Sequence, residues 1–326
     1  MDTGERQARL IEPFPDSDDD DDDENALMAV PKEAAHHDRT LELVGSIVGV
    51  GSSGPVDLGA NGSLVQALDE LKELSYDPRQ AERVMREPGM IAVLLRLSDP
   101  THVPFGWPEG TRRLASMVLG TMVQNNPELQ GMAQRAGAVS SLLSALREER
   151  DAKTAGKHVF ALSALTRGHA SSLDQFTELG GLQVLRELNP LASSVYKAGE
   201  ESLKLDQRIT RFVEDLLNPD FNPDVPPHVA SLVAKFAATW CQTLGLRLVD
   251  SLEDIVDDDG GGGVVPVYEN RLAYLRSLQL LRVAHPDTCQ LPPEFRYWVR
   301  EELAYIEKTK NDQIADYREA LTDLDE

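Results

Sequence analysis

Residues Pro108 to Asn189 write one unit twice, and this repetition constrains the chain more than any other feature. Each copy has a long helix with an apolar stripe, a break, a short helix, a glycine and a third helix. In the first copy Leu114, Val118 and Met122 share a face of the long helix, Leu129, Met132 and Ala133 serve the short one, and Val139, Leu142, Leu143 and Leu146 serve the third. In the second, Val159, Leu162 and Leu165, then Leu173, Phe176 and Leu179, then Leu182, Leu185 and Leu188 take the same places. Gly137 and Gly181 lie 44 positions apart, and Gly89 precedes Gly137 by 48. No single unit has a face large enough to be stable alone, so neighbours must stack into one continuous core.

A period in the forties with three helices per unit is that of an armadillo-like α-solenoid, so the fold class is all-α with about four units. An earlier unit starts near Ser63 with Leu64, Leu68 and Leu71, turns at Asp77-Pro78, and continues through Ala81 to Met85 and through Met90, Ile91, Leu94 and Leu95. A degenerate fourth unit uses Ile209, Phe212, Val213 and Leu216, then Val229, Leu232, Val233, Phe236 and Trp240 beyond Pro226-Pro227. Four segments follow: an acidic arm and linker expected to be disordered (1–60), a repeat domain (61–250), an acidic and Gly-rich linker (251–268) and C-terminal capping helices (269–326). The capping helices are expected at about Asn270–Val283 and Pro293–Lys308, the second buried through Phe295, Trp298, Val299 and Ile306, with a tail that frays beyond Lys308.

The formal charge of −23 argues against nucleic acid, which needs clustered cations, and against a basic membrane patch. Part of that charge is the run Asp16–Glu24, DSDDDDDDE, which self-repels and buries nothing. Hydrophobic residues make up 41%, enough for a core, yet no apolar run reaches the roughly 18 residues of a membrane span. The two cysteines, Cys241 and Cys289, have no metal spacing and neither require nor exclude an oxidising compartment.

No motif points to catalysis. Gly49-Val50-Gly51-Ser52-Ser53-Gly54 satisfies G-x-G-x-x-G, but a loop composition follows where a helix is needed, so the string reads as linker and no cofactor is expected. Asp257-Asp258-Asp259-Gly260 fails the calcium-loop pattern, because the first and twelfth ligands would be Ile255 and Pro266. None of the seven histidines has metal spacing, and His158 reads as a packing or surface residue. A binding protein that is not an enzyme, and a monomer, is the expectation. Asn61-Gly62-Ser63 is an acceptor for N-glycosylation if the chain enters a secretory compartment.

The segments LVQALDELKELSYDPRQAERVMREPGMIAVLLRLSDP, GTRRLASMVLGTMVQNNPELQGMAQRAGAVSSLL and KHVFALSALTRGHASSLDQF resemble the armadillo-type nucleotide exchange factors of the 70-kDa heat-shock chaperones. The opening MDTGERQARL is similar to the D-T-G-x-x-E-A-R-L-like segment of the lumenal, Sil-type branch, and DELKELSYDPRQA resembles that branch's D-E-L-E-E-L-x-H-D. The similarity spans roughly residues 1–12 and 62–190.

The resemblance implies a co-chaperone. It would wrap one lobe of the nucleotide-binding domain of a BiP-type chaperone and promote ADP release in support of protein translocation and folding. The lumenal factors carry a leader and this sequence opens without one, so residence in the endoplasmic reticulum lumen expects an apolar leader encoded upstream of Met1; the alternative is the cytoplasm. If the third helices line the concave face, the partner-binding positions are Arg96, Ser140, Ser144, Arg147, Gln183 and Arg186. The competing reading is a scaffold that grips an extended peptide. That reading expects Trp/Asn pairs on the third helices, and Trp107, Trp240 and Trp298 all lie elsewhere.

Overall fold

The computed structural model describes residues 60–102, 107–188, 196, 200–218, 222, 224–250, 264–309 and 315–325, with side chains from 64 onward in the first helix and from 271 onward in the helix that begins at 264. The acidic arm, the G-x-G-x-x-G string and most of the 251–268 linker lie outside the described residues. Fourteen helices are described: α1 (Ala60–Ser75), α2 (Pro78–Arg86), α3 (Met90–Ser98), α4 (Glu109–Val123), α5 (Pro127–Arg135), α6 (Ala138–Glu148), α7 (Ala152–Thr166), α8 (Ala170–Glu178), α9 (Gly181–Glu187), α10 (Glu200–Leu217), α11 (Pro227–Asp250), α12 (Val264–Ala284), α13 (Pro293–Thr309) and α14 (Ala315–Asp325).

Local chemistry sets the breaks. Asp77 and Asn126 each sit at an N-cap with Pro at the first helical position, and each carboxyl or amide oxygen accepts a backbone N–H of the turn that follows. Between the short and third helices the chain passes through a left-handed residue, at Gly89 (φ 85°), Gly137 (φ 85°) and Gly180 (φ 77°). In the third unit the turning residue is therefore Gly180, and Gly181 is the first residue of α9. A Cβ on Gly181 would lie 2.4 Å from the Phe176 ring, so that glycine serves packing while its neighbour serves the turn.

The helices stack in three layers. The long helices α1, α4, α7 and α10 pack flank to flank, and α12 continues the row; α2, α5, α8, α11 and α13 follow one another in a second row; α3, α6 and α9 form a third whose members touch only lightly. One core of buried side chains runs from Leu64 to Leu324. Val118, Met122, Leu129, Val139, Leu142, Leu143, Leu146, Val159, Leu162, Leu165, Leu173, Phe176 and Leu185 are buried in it as the periodicity predicts, whereas Leu179 and Leu232, expected in the core, are exposed.

The C-terminal segment departs from expectation. The helix expected near Asn270 begins at Val264, inside the expected linker. Among the described residues beyond Lys308 the expected fraying is not seen: α14 packs against α12 and α13 and buries Tyr317, Leu321 and Leu324. Its buried positions come at i, i+4 and i+7 but are few, too sparse a stripe to stand out in a sequence of mixed charge. Cys241 of α11 and Cys289, just beyond α12, form a disulfide with Cα atoms 5.4 Å apart. His285 Nε2 lies 3.0 Å from the Leu217 carbonyl at the end of α10, which ties the same corner to the repeats.

Candidate partner-binding face

Two observations fix the register of the long helices. Ser116 Oγ and His158 Nδ1 are 2.8 Å apart, and the Phe160 ring lies over Gly120, where a Cβ would come within 2.6 Å of it. Helices α4 and α7 therefore run side by side in the same direction. The next pair follows the same pattern: Arg208 of α10 lies against Gly156 of α7, and Arg167 at the end of α7 is ion-paired with Asp215. A mid-helix glycine costs about 1 kcal/mol relative to alanine, and here each one admits a large side chain from the neighbouring helix.

Positions 113, 117, 120 and 124 of α4 share one stripe, as do 153, 157, 160, 164 and 167 of α7 and 208, 211 and 215 of α10. Gln124, Asn125, Phe160, Ser163, Ala164 and Arg167 line a shallow pocket where the first two stripes meet, so these stripes face the open side of the layer. Asn125 closes α4 in the left-handed region (φ 56°), a conformation asparagine tolerates better than other side chains. One turn from the other end, Arg113 and Lys153 are half-buried on the same face and have no ion-pair partner among the described residues.

Beneath this face lies a buried polar cluster. Arg112 donates through Nε and Nη2 to both Glu149 oxygens, at 2.8 and 2.9 Å, and through Nη1 to the Trp107 carbonyl. His158 Nε2 is 3.6 Å from Glu149 Oε2. Burial pushes the Glu149 carboxyl up, but His158, Arg112 and the Asp151 N–H together outweigh it and hold the group at about 2. Ser116, His158 and Glu149 have the residue types of a hydrolytic triad, yet all three are sealed from solvent at 0, 0 and 1% exposure, and Glu149 is committed to arginine. The cluster locks α4, α7 and the end of α6 together.

The six positions expected to bind a partner lie on α3, α6 and α9. Five are exposed and Arg96 is half-buried. Arg147 donates to the Leu179 carbonyl at 3.1 Å and so caps the end of α8, and Gln183 is hydrogen-bonded to Glu187. The helices that carry them contact one another, α3 with α6 and α6 with α9, though less extensively than the long helices do. In a curved stack the inner layer has the shorter arc and the tighter lateral packing. The most extensive lateral packing is that of the long helices, so α4, α7 and α10 offer a second candidate face beside that of the third helices. The periodicity alone could not show this, since it defines the repeat without saying which helix starts it. The signal present in the sequence is the half-polar stripe of α7, with Phe160 in its middle.

Among the described residues no cluster of His, Cys, Asp and Glu is arranged to hold a metal, and no helix is long and apolar enough to cross a membrane. Asn61 falls in the first turn of α1.

Residues 109–221 match the family model of the SIL1/FES1/HPBP1 C-terminal domain. The chain is 40% identical over 124 residues to nucleotide exchange factor SIL1 of Rattus norvegicus, covering 38% of this chain and 25% of the rat protein. It is 37% identical over 68 residues to the Hsp70 nucleotide exchange factor FES1 of Coccidioides immitis (strain RS), covering 21% of this chain and 32% of that protein. The chain thus spans about a quarter to a third of the length of these curated relatives. Among solved structures, a designed armadillo repeat protein superimposes with a TM-score of 0.50 at 15% identity, covering 87% of this chain and 99% of the other. A second, described in complex with the peptide (KR)4, gives 0.51 at 14%, covering 87% and 98%. The resemblance read from the sequence is borne out over the repeats, and the fold is armadillo-like.

Proposed function

We propose that this armadillo-like protein, Sil-like in its repeats, acts as a nucleotide exchange factor for a 70-kDa heat-shock chaperone of the BiP type. The observation that carries the reading is the coincidence of the matched segment, 109–221, with the helices that build the long-helix face. A face of this kind does no chemistry on ADP. It works by holding the chaperone's nucleotide-binding domain in the conformation from which ADP has left, and linkage then requires ADP and the factor to weaken each other's binding. Phe160 and its pocket offer an apolar anchor within a polar surround, the usual composition of an interface hot spot. Arg113 and Lys153 add charge that steers association.

The Cys241–Cys289 disulfide supports residence in an oxidising compartment, which favours the endoplasmic reticulum lumen over the cytoplasm. Asn61 is then a glycosylation site, and the chain works as a monomer. The peptide-gripping alternative has one structural neighbour in its favour, the designed protein described with (KR)4. A basic peptide of that kind would meet Arg113 and Lys153 on the long-helix face here, which favours the chaperone reading. Calorimetry with the isolated nucleotide-binding domain of BiP tests the proposal. At least about tenfold tighter binding to the nucleotide-free form than to the ADP form is expected, a coupling of about 1.4 kcal/mol. Equal affinity for the two forms would refute it. Phe160→Ala is expected to weaken binding at least about tenfold, and joint replacement of Ser140, Ser144 and Gln183 by alanine to leave it within about twofold.

A further inference from the structure

Helix α10 has two flanks of opposite chemistry. The flank toward the repeats carries Leu205, Ile209, Phe212 and Leu216, all buried, with the Phe212 ring 5.4 Å from that of Phe176. The flank toward α12 carries Asp206, Thr210 and Glu214, spaced four residues apart on one stripe. Asp206, 1% exposed, takes Arg247 of α11 at 2.7 Å on one oxygen and the Tyr274 hydroxyl of α12 on the other. Glu214 lies beside Ser277 and Arg276 of α12 and Arg211 of its own helix, and the Leu217 carbonyl is 3.0 Å from His285 Nε2. Thr210 and Ser277 are fully buried. Tyr274 follows Asp206 by 68 positions and His285 follows Leu217 by the same 68, so α10 and α12 run in one direction and in step along this seam.

Opening an apolar flank returns hydrocarbon to water, whereas opening a polar one exchanges its hydrogen bonds for bonds to water at little net cost. The cap behind this seam is one unit: Arg271 of α12 reaches Glu302 of α13 at 3.2 Å, and Tyr317 of α14 reaches the same carboxylate at 3.1 Å. Its far corner is fixed to α11, where Cys241 is bonded to Cys289 and a Cβ on Gly245 would lie 3.1 Å from Pro292. We infer that the α10–α12 seam is a proton-sensitive hinge, on which the cap of α12, α13 and α14 swings off α10 about its disulfide corner when the seam carboxyls ionise. Burial pushes Glu214 up to about 7, against Ser277, Arg211 and Arg276, and Asp206 up to about 6, against Arg247. The closed seam therefore holds protons that the open one releases. Closure is strongest where both forms are protonated, below about pH 4, and weakens as the pH rises through 6 and 7. Glu214 alone makes opening about tenfold more favourable at pH 8 than at pH 6. Since α12 continues the row of long helices, opening shortens that row by one member. The hinge needs no partner and stands apart from the function proposed above.

Iodoacetamide labelling of the full chain carrying Ser277→Cys tests the hinge, with Ser98→Cys, at a buried position of α3, as the control for unfolding of the whole chain. Each rate is divided by that of a cysteine in an unstructured peptide at the same pH, and mass spectrometry confirms that Cys241–Cys289 stays intact. The thiol at position 277 is expected to label at least about tenfold faster than the one at position 98, and about tenfold faster at pH 8 than at pH 6. With Glu214→Gln added, the pH dependence is expected to fall to about twofold, the share left to Asp206. Equal rates at the two positions would show that the cap opens only when the chain unfolds, and would overturn the hinge. Equal rates at the two pH values, or an undiminished pH dependence with Glu214→Gln, would overturn its control by the seam carboxyls. The comparisons of position and of pH decide the matter even where the Glu214→Gln variant does not fold.

Discussion

Glu149 joins three helices through one carboxylate, so its chemistry sets a stability limit for the middle of the stack. Its folded-state value of about 2 lies below its ordinary 4.5, so its stabilisation is present above pH 4.5 and is lost as the pH falls toward 2. Glu149→Gln leaves Arg112 buried beside an amide and is expected to cost about 3 kcal/mol in urea denaturation at pH 7, with a shallower acid limb. Glu214 behaves in the opposite sense. Burial pushes it up to about 7 against the opposing pull of nearby arginines, so the folded state holds a proton that the unfolded chain has released. Stability therefore falls as the pH rises from 4.5 through 7, and Glu214→Gln is expected to flatten that slope; an unchanged slope would show that the carboxyl is solvated. At Gly137 no neighbour blocks a side chain, since the nearest atom to an added Cβ is Ser140 Oγ at 3.6 Å. The cost of Gly137→Val is therefore backbone strain of about 1–3 kcal/mol at φ 85°, read as a lower melting temperature.

Among the elements, the capping corner depends on a covalent link that residue spacing could not reveal. Cys241 and Cys289 are separated by 48 positions, and closing a loop of that length stabilises by roughly 4 kcal/mol on the chain-entropy account. Cys289→Ser or reduction should lower the melting temperature, and hydrogen exchange should show α12 to α14 opening before α4 to α7. The stop signals of the repeats were legible because they are local: Asp77-Pro78, Asn126-Pro127 and the glycines each determine their own turn. Gly180 and Gly181 could not be told apart that way, because the choice between them is made by the Phe176 ring packed against one of them. Helix α14 was missed for a similar reason. Its burial comes from α12 and α13, helices distant in sequence, and its own stripe is short.

For the whole molecule, the sequence period revealed the solenoid but left its inside and outside undetermined. Packing adds a distinction that the period lacks: α4, α7 and α10 lie flank to flank, while α3, α6 and α9 meet over shorter contacts. The proposed function depends on it, because a chaperone lobe must be held by one face of the stack. The most direct test is stopped-flow release of fluorescently labelled ADP from BiP, with the protein added at saturating concentration. Release accelerated at least tenfold, and slowed again in Phe160→Ala, is the predicted result. Release at the spontaneous rate while the protein is demonstrably bound to the chaperone would contradict the account.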